Sequence, residues 1–387
     1  MSVTRMVVFL VVVLALTGGL HYYLWLRMVR DPAWPAPWST VGTWALVLLG
    51  LSIPVGFVAS RFLSREASAP FAWVAFGWMG LMFLALVLLL PSELVRLTAG
   101  WLGRGTDELT SEERRRFLSR GIAGVVGAAS AGLGALSLST ALRPVDIARV
   151  TVKLRALPEA LRDFRIVQLT DIHVGPTIGR DFIEELVDKT NAQRPDLIAI
   201  TGDLVDGSVE ELAAQVEPLK DLRARHGVFF VTGNHEYYSG ADDWIAHLGT
   251  LGIRVLGNER VTLHHDGAAL DVVGVHDWES DGFGHGADLA KALAGKPADR
   301  KALLLAHQPK QIDEASRLGV DLQISGHTHG GQIFPFNYLV RLQQPYVAGL
   351  HTHGDSQLYV SRGTGYWGPP MRLGIPAEIT RIVLRPA

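Results

Sequence analysis

The sequence predicts a set of N-terminal transmembrane helices followed by an α/β domain. Two observations support this prediction. The first 140 residues contain long apolar segments of about 20 residues, which is the length that a helix needs to cross a hydrocarbon core of roughly 30 Å. From Val150 onward, short apolar runs alternate with helical stretches, and this alternation is typical of α/β domains.

Three segments of the membrane domain, residues 1–140, are predicted to span a bilayer. They cover about residues 6–26, 41–60 and 71–90. Tryptophans lie near their ends, where an amphipathic ring prefers the membrane interface. The alternative for the first segment is a secretory signal peptide, but two more spans follow it and no small-residue cleavage site is evident.

A fourth candidate span, residues 121–138, contains much glycine, alanine and serine, so its insertion is weakly driven. The preceding residues 113–120 resemble a twin-arginine export signal, with two arginines, a variable residue and Phe117-Leu118. The alternative is a positively charged cytoplasmic flank on a retained helix. Both interpretations place these arginines in the cytoplasm and the following domain outside it, whether the segment is a retained helix or a cleaved signal. Residues 141–150, with Pro144, are predicted to form a linker to the second domain, residues 151–387.

The two parts of the chain differ in charge. Residues 1–149 carry 13 arginines and 8 acidic residues, a net charge of +5, whereas residues 150–387 carry 23 basic and 30 acidic residues, a net charge of −7. Such an acidic domain is a poor candidate for nucleic-acid binding, which requires a basic surface.

The chain has no cysteine, so any metal ion must be held by nitrogen and oxygen. The sequence gives no indication of the oligomeric state.

Polar clusters follow six predicted strands of the second domain, at the point where each strand ends. The strands are residues 165–170, 196–200, 227–231, 268–275, 301–306 and 320–324. Strand ends are where α/β sheets carry their functional residues. Five clusters contain good ligands for a hard or borderline metal ion: Asp171 with His173, then Asp203, then Asn234 with His235 and Glu236, then His307, and last His327 with His329.

Each cluster alone has an ordinary explanation, such as a turn in which Gly, Asn and Asp tolerate a left-handed backbone. The order Asp-x-His, Gly-Asp, Gly-Asn-His-Glu, His and Gly-His-x-His is far more specific. Over residues 171–329 it resembles the calcineurin-like metallophosphoesterase superfamily, and the twin-arginine-like segment resembles its membrane-anchored subgroup. The resemblance implies two packed mixed β-sheets flanked by helices, a four-layer sandwich with a dinuclear metal centre at the strand ends.

The resemblance also implies a role for each candidate residue. Asp171, His173 and His329 would hold the first metal ion, Asn234, His307 and His327 would hold the second, Asp203 would bridge them, and His235 would face the scissile ester.

The chemistry of phosphate esters supports these roles. Two divalent ions neutralise phosphate charge and supply an oxygen nucleophile near neutral pH, and a carboxylate between them balances both. Nitrogen and oxygen ligands without sulfur indicate Mn, Fe or Zn. His235 suits a general acid because its unperturbed pKa of about 6.5 lies near working pH. Asp206 and Glu236 are predicted to orient ligand histidines, with helix capping as the alternative for each.

The leading functional prediction is a membrane-anchored phosphoesterase that hydrolyses a phosphodiester or pyrophosphate of a phospholipid or lipid-linked substrate outside the cytoplasm. The same chemistry fits a phosphomonoesterase or a UDP-diacylglucosamine-type pyrophosphate hydrolase on the cytoplasmic side, which requires the reverse topology. A non-catalytic binding scaffold is the alternative from another class, and the complete ligand set argues against it. The aromatic residues between Gly331 and Trp367 are expected to pack between the sheets, in preference to lining an acyl or nucleoside pocket or touching the membrane.

Overall fold

The computed structural model describes residues 3–101 and 112–387, which divide after residue 138 into two compact units. The first unit is helical. Its helices are α1 (Val3–Trp25), which continues into a π-helical turn (Leu26–Arg30), α2 (Trp38–Phe62), α3 (Arg65–Trp101) and α4 (Glu112–Leu142). Within the described residues, four segments are long and apolar enough to cross a membrane: Val11–Arg30, Trp38–Ser60, Arg65–Thr98 and Glu112–Leu142.

The helices extend beyond the apolar segments from which they are predicted. The segment 71–90 lies inside α3, and the segment 121–138 lies inside α4. A helix continues through polar residues as long as its backbone hydrogen bonds are satisfied, so the apolar segment marks the part that fits hydrocarbon and not the ends of the helix.

The second unit contains two six-stranded mixed sheets, as predicted. Its strands are β1 (Asp146–Leu154), β2 (Arg165–Leu169), β3 (Leu197–Thr201), β4 (Val228–Val231), β5 (Arg254–Val255), β6 (Glu259–His265), β7 (Ala268–Gly274), β8 (Lys301–Leu305), β9 (Leu322–Ser325), β10 (Gly349–His353), β11 (Ser356–Val360) and β12 (Glu378–Pro386). Sheet I has the order β1-β12-β2-β3-β4-β5, and sheet II has the order β10-β11-β9-β8-β7-β6. Neighbouring strands from β2 to β5 run parallel in sheet I, and β7, β8, β9 and β11 run parallel in sheet II.

Helices flank the two sheets, which confirms the predicted arrangement. They are α5 (Arg180–Ala192), α6 (Val209–Val216), α7 (Asn234–Ser239), α8 (Ala241–Thr250), α9 (Leu289–Leu293), α10 (Ile312–Arg317) and α11 (Asn337–Val340). The central strands β2, β3, β4, β8 and β9 bury both faces, which explains why they appear as continuous apolar runs in the sequence. In β3, Leu197 and Ala199 belong to the core between the sheets, whereas Ile198 and Ile200 pack with residues of α5, α6 and α8.

The predicted linker over residues 141–150 is wrong. Helix α4 continues to Leu142, and β1 begins at Asp146. This strand pairs in parallel with β12, from Asp146 beside Glu378 to Leu154 beside Pro386. Because β1 lies at the edge of sheet I, polar residues alternate with its apolar ones, and this lowers the mean hydropathy by which a strand is recognised. Only residues 143–145 connect α4 to β1.

Candidate metal centre

Candidate metal ligands from both sheets meet at the carboxyl ends of their strands. Among the described residues, three groups have ligand atoms within 4.8 Å of one another. The groups share two members, so together they form one continuous site. They are Asp171 with His173 and His329, then His173 with Asp203 and His235, then Asp203 with His307 and His327. Asp171 and Asp203 follow β2 and β3 of sheet I, whereas the histidines 307, 327 and 329 follow β8 and β9 of sheet II.

The Asp203 carboxylate lies between two pairs of imidazoles. His173 Nε2 is 3.0 Å from His329 Nε2, and His307 Nε2 is 3.2 Å from His327 Nδ1. Asp203 Oδ2 is 3.1 Å from His307 Nε2 and 3.8 Å from His173 Nε2. One carboxylate therefore lies within reach of both imidazole pairs, which is the arrangement that a bridging ligand requires.

Five of the candidate ligands have a left-handed backbone, which is uncommon for residues other than glycine. These residues are Asp171 (φ 53°), His173 (φ 54°), Asp203 (φ 51°), His327 (φ 70°) and His329 (φ 49°). Such conformations cost on the order of 1 kcal/mol each and persist only where the surrounding structure holds them. Their concentration in one site indicates that it is built for function rather than for stability.

Close contacts between neighbouring turns explain two glycines of the motifs. A Cβ atom at Gly233 would lie 2.2 Å from Asp203 Oδ1, and one at Gly326 would lie 2.1 Å from Asp171 Oδ2. Each side chain would collide with a candidate ligand carboxylate. Both positions therefore require glycine because the backbone passes directly against a ligand.

Hydrogen bonds to Nδ1 fix the orientation of three imidazoles. His307 Nδ1 lies 2.8 Å from the Thr201 carbonyl oxygen, which can only accept, so this nitrogen carries the proton and Nε2 presents its lone pair. Asp206 Oδ1 lies 2.9 Å from His173 Nδ1 and 2.7 Å from His235 Nδ1. Asp206 therefore contacts the two histidines that it is suited to orient.

Glu236 has a different role from the predicted orientation of a histidine. Its carboxylate accepts hydrogen bonds from the backbone N–H groups of Gly233 (2.6 Å), Asp203 (3.0 Å) and Leu204 (2.8 Å). The bond from Gly233 caps helix α7, as the alternative interpretation expects. The other two bonds join the turn after β4 to the turn after β3, so Glu236 holds two ligand-bearing turns together.

Asn234 carries a buried acceptor without a protein partner. Its Oδ1 atom is buried and accepts no hydrogen bond from any described residue. Leaving such an atom unsatisfied costs about 1–3 kcal/mol. A metal ion would supply the missing partner, since the surrounding candidate ligands are nitrogen and oxygen donors. The residues therefore fit a divalent metal ion.

The buried charges shift one another's pKa values. Burial alone raises the pKa of Asp203, but His307 and the other nearby imidazoles outweigh it and hold the pKa well below its usual range. Burial lowers the pKa of His235, whereas Asp203 and Asp206 raise it to about 9. For Glu236, burial and then repulsion from Asp203 raise the pKa to about 7.

Comparisons with known proteins identify the family. A family model described as calcineurin-like phosphoesterase matches residues 164–331. A transmembrane protein with metallophosphoesterase domain from Bos taurus is 38% identical over 348 residues, which cover 86% of this chain and 78% of that protein. This chain belongs to the calcineurin-like phosphoesterase family. It is therefore a metal-dependent phosphoester hydrolase.

Two further relatives support membership of the calcineurin-like phosphoesterase family. A protein of the same description from Danio rerio is 34% identical over 388 residues, covering 97% of this chain and 88% of that protein. An uncharacterized metallophosphoesterase from Helicobacter pylori is 42% identical over 230 residues, which cover 58% of this chain and 60% of that protein.

Sequence reasoning missed a buried arginine beside the centre of this phosphoesterase. Arg372 is fully buried, and burial lowers its pKa to about 10, so it stays charged at neutral pH. Its guanidinium donates to the Gly365 carbonyl (2.9 Å) and lies 3.4 Å from His329 Nδ1. It follows His329 by 43 residues and belongs to no recognisable motif, so the sequence carries no signal for it.

The expectation that the aromatic residues pack between the sheets is wrong for five of them. Trp367 is exposed and lies edge-on to His235, with ring centroids 5.6 Å apart. Gln332 holds it in place, because Trp367 N donates to Gln332 Oε1 (2.9 Å) and Gln332 Nε2 donates to the Trp367 carbonyl (3.0 Å). Phe334, Phe336 and Tyr338 are exposed in the loop after His329, and Tyr366 is buried in the cluster between sheet I and its helices.

Replacing Asp206 by Asn should lower metal affinity by about 10–100-fold and reduce turnover, because it removes the charge that His173 and His235 both face. Metal content after dialysis and hydrolysis of bis-p-nitrophenyl phosphate measure the two effects. Asp188→Asn, an exposed change on α5, is the matched control. Unchanged metal content in Asp206→Asn would contradict the assigned role.

Replacing Glu236 by Gln should destabilise the domain by about 1–3 kcal/mol, because an amide cannot accept from all three backbone N–H groups. The thermal unfolding midpoint of the full chain in detergent should fall. The same substitution at Glu210, which is exposed in the first turn of α6, serves as the control. Equal midpoints for the two variants would show that the three bonds contribute nothing.

Proposed function

We propose that this chain is a membrane-anchored phosphoesterase with two metal ions that hydrolyses a phosphodiester or pyrophosphate of a phospholipid or lipid-linked substrate. The observation that carries the dinuclear site is the position of Asp203 between two imidazole pairs, at 3.1 Å from His307 and 3.8 Å from His173. The unpartnered Oδ1 atom of Asn234 supports a ligand at the second position.

The proposed ligand sets are those that the family resemblance implies, and the grouping of Asp171, His173 and His329 supports the first of them. When bound, two divalent ions supply positive charge for the phosphate oxygens and activate water for attack. Asp203 contributes to both positions, and Mn, Fe or Zn suits the donors. Asp171, His173 and His329 hold the first ion, and Asn234, His307 and His327 hold the second.

His235 is proposed to donate a proton to the leaving alkoxide. Its Nδ1 atom is hydrogen-bonded to Asp206 Oδ1 at 2.7 Å. The other ring nitrogen, Nε2, is therefore the atom that can contact the substrate. Water attacks phosphorus, the bond to the leaving oxygen breaks, and the proton from Nε2 neutralises that oxygen. Before the transfer, Asp206 faces the same ring and stabilises it in its protonated form.

The membrane anchor supports a lipid-phase substrate. Relatives from Bos taurus and Danio rerio are described as transmembrane proteins, and the chain carries segments that fit a bilayer. A hydrolase attached to a bilayer meets headgroup phosphates at high local concentration. This supports a phosphodiester or pyrophosphate at the level of the headgroups.

The catalytic domain is proposed to lie outside the cytoplasm. Arg120 donates to the carbonyls of Pro32 (2.9 Å) and Ala33 (2.8 Å), so the start of α4 and the loop after α1 lie at the same end of the helical unit. Arginine-rich ends stay in the cytoplasm. A single crossing by α4, either as a retained helix or as a twin-arginine-type signal, then places residues 146–387 on the opposite side.

Asp203→Asn should remove both bound metal and turnover, because an amide cannot balance two cations. His235→Ala should retain metal while lowering turnover by about 10²–10⁴-fold, the usual contribution of a general acid. The full chain in detergent, assayed with bis-p-nitrophenyl phosphate and Mn, gives turnover, and elemental analysis gives metal content. Because His235 also lies within reach of His173 and Asp203, metal loss in His235→Ala would make it a ligand instead.

An alkaline phosphatase fused after Ala387 should be active in a Gram-negative host, because that enzyme needs disulfides that form only outside the cytoplasm. A green fluorescent reporter at the same position should remain dark when exported through the general secretion route. An inactive phosphatase together with a bright reporter would reverse the proposed topology.

A further inference from the structure

An exposed apolar loop follows the metal-binding turn directly. We call residues 334–342 the apolar loop. Phe334, Phe336, Tyr338 and Leu339 each expose between 45% and 58% of their surface, and Leu342 exposes 81%. Soluble surfaces rarely present so many large apolar side chains together, and such patches mark contact with another surface.

The apolar loop is fixed at both of its ends. At one end, Phe334 N donates to the Leu373 carbonyl at 3.2 Å. At the other end, the buried side chain of Gln344 donates to Gln308 Oε1 (3.1 Å) and accepts from Lys310 N (3.2 Å). These hydrogen bonds form a frame that anchors both ends of the loop, while the side chains between the ends are exposed.

The frame of the apolar loop connects directly to the candidate metal centre. The loop begins five residues after His329, and its partner Gln308 follows His307. A Cβ atom at Gly331 would lie 2.4 Å from Asn337 Cα, so helix α11 packs against the turn that carries His329. The distance between the apolar loop and the metal centre is therefore fixed by these connections. A surface that binds the loop would lie at that same distance from the centre.

The charge around the apolar loop differs from that of its domain. Residues 150–387 have a net charge of −7, yet residues 322–354 contain no Asp, Glu or Lys and a single Arg, Arg341. An acidic domain is repelled by an anionic bilayer, and this stretch contributes no acidic side chain to that repulsion. Phe, Tyr and Leu beside Arg are the residue types that lie at a lipid–water interface.

The tether keeps the domain close to the bilayer. Helix α4 ends at Leu142 and β1 begins at Asp146, so their Cα atoms are at most about 15 Å apart. With α4 in the bilayer, a domain on so short a connection meets lipid at high effective concentration.

We infer that the apolar loop inserts into the lipid–water interface of the bilayer that anchors the chain, with its aromatic and leucine side chains among the upper acyl carbons and Arg341 at the headgroups. This inference rests on the proposed membrane anchoring. It makes the bilayer surface the partner that brings phosphate esters to the metal centre.

The absence of cysteine allows a direct test. Leu342→Cys in the full chain, labelled with an environment-sensitive fluorophore and reconstituted into phosphatidylcholine–phosphatidylglycerol vesicles, should emit at shorter wavelength. Spin-labelled lipids should quench it, and aqueous iodide should not. Leu318→Cys is the matched control, because it is exposed and precedes the amino end of β9, whereas the loop follows the carboxyl end. Its label should be quenched by iodide only.

Equal iodide quenching at the two positions would overturn the inference. So would a label at position 342 that is shielded from both quenchers and shows energy transfer between chains, since a second copy would then cover the loop. Neither readout depends on catalysis, so failure of the enzymatic proposal is seen separately.

A catalytic comparison tests the consequence for substrate. The double variant Leu339→Gln/Leu342→Gln should lower hydrolysis of phospholipid in vesicles by roughly tenfold or more, because it removes two exposed leucines that would be buried in the lipid. Hydrolysis of soluble bis-p-nitrophenyl phosphate should stay unchanged. An equal loss with both substrates, or no loss with either, would count against the inference.

Discussion

The charge of Asp203 is the constraint on which the site depends. This carboxylate is buried, and an unpaired charge in such a position would be strongly unfavourable. Imidazoles from both sheets surround it, His173 from sheet I and His307 from sheet II. The two sheets must therefore align with their carboxyl strand ends together. The core between the sheets thus maintains the electrostatic environment of Asp203 as well as the stability of the domain.

Bringing the ligands of both sheets together requires left-handed backbone conformations, which are energetically unfavourable. Asp171, His173, Asp203, His327 and His329 each adopt a conformation that side chains usually avoid. Hydrogen bonds between turns offset this cost: His327 N donates to Asp171 Oδ1 at 2.8 Å, and His173 N donates to the Asp203 carbonyl at 3.1 Å. Each ligand-bearing turn thus supports the next one, and Glu236 extends the same support to the turn after β4.

Six of the strands and most residues of the candidate site could be predicted because their signals are local. A buried apolar run followed by Gly-Asp or Gly-His marks a strand end wherever it occurs. The contacts of Glu236 could not be predicted because its partners are backbone atoms, and those of Arg372 because they form only in the fold. The exposure of the apolar loop could not be predicted for another reason. An apolar residue such as Phe336 or Leu342 looks the same in a sequence whether it is buried or exposed.

The position of the apolar loop resolves a conflict between the chemistry and the proposed substrate. Hydrolysis needs water at the phosphorus atom, whereas a lipid leaving group stays in the acyl phase. A metal centre buried in the bilayer would lose access to water. A metal centre far above the bilayer surface would not reach the phosphate ester. Aromatic rings and Arg341 prefer the interface and do not cross it. Because His329 and Phe334 lie in one connected segment, the depth of the proposed insertion would set the height of the metal centre and would keep it hydrated at the level of the headgroup phosphates.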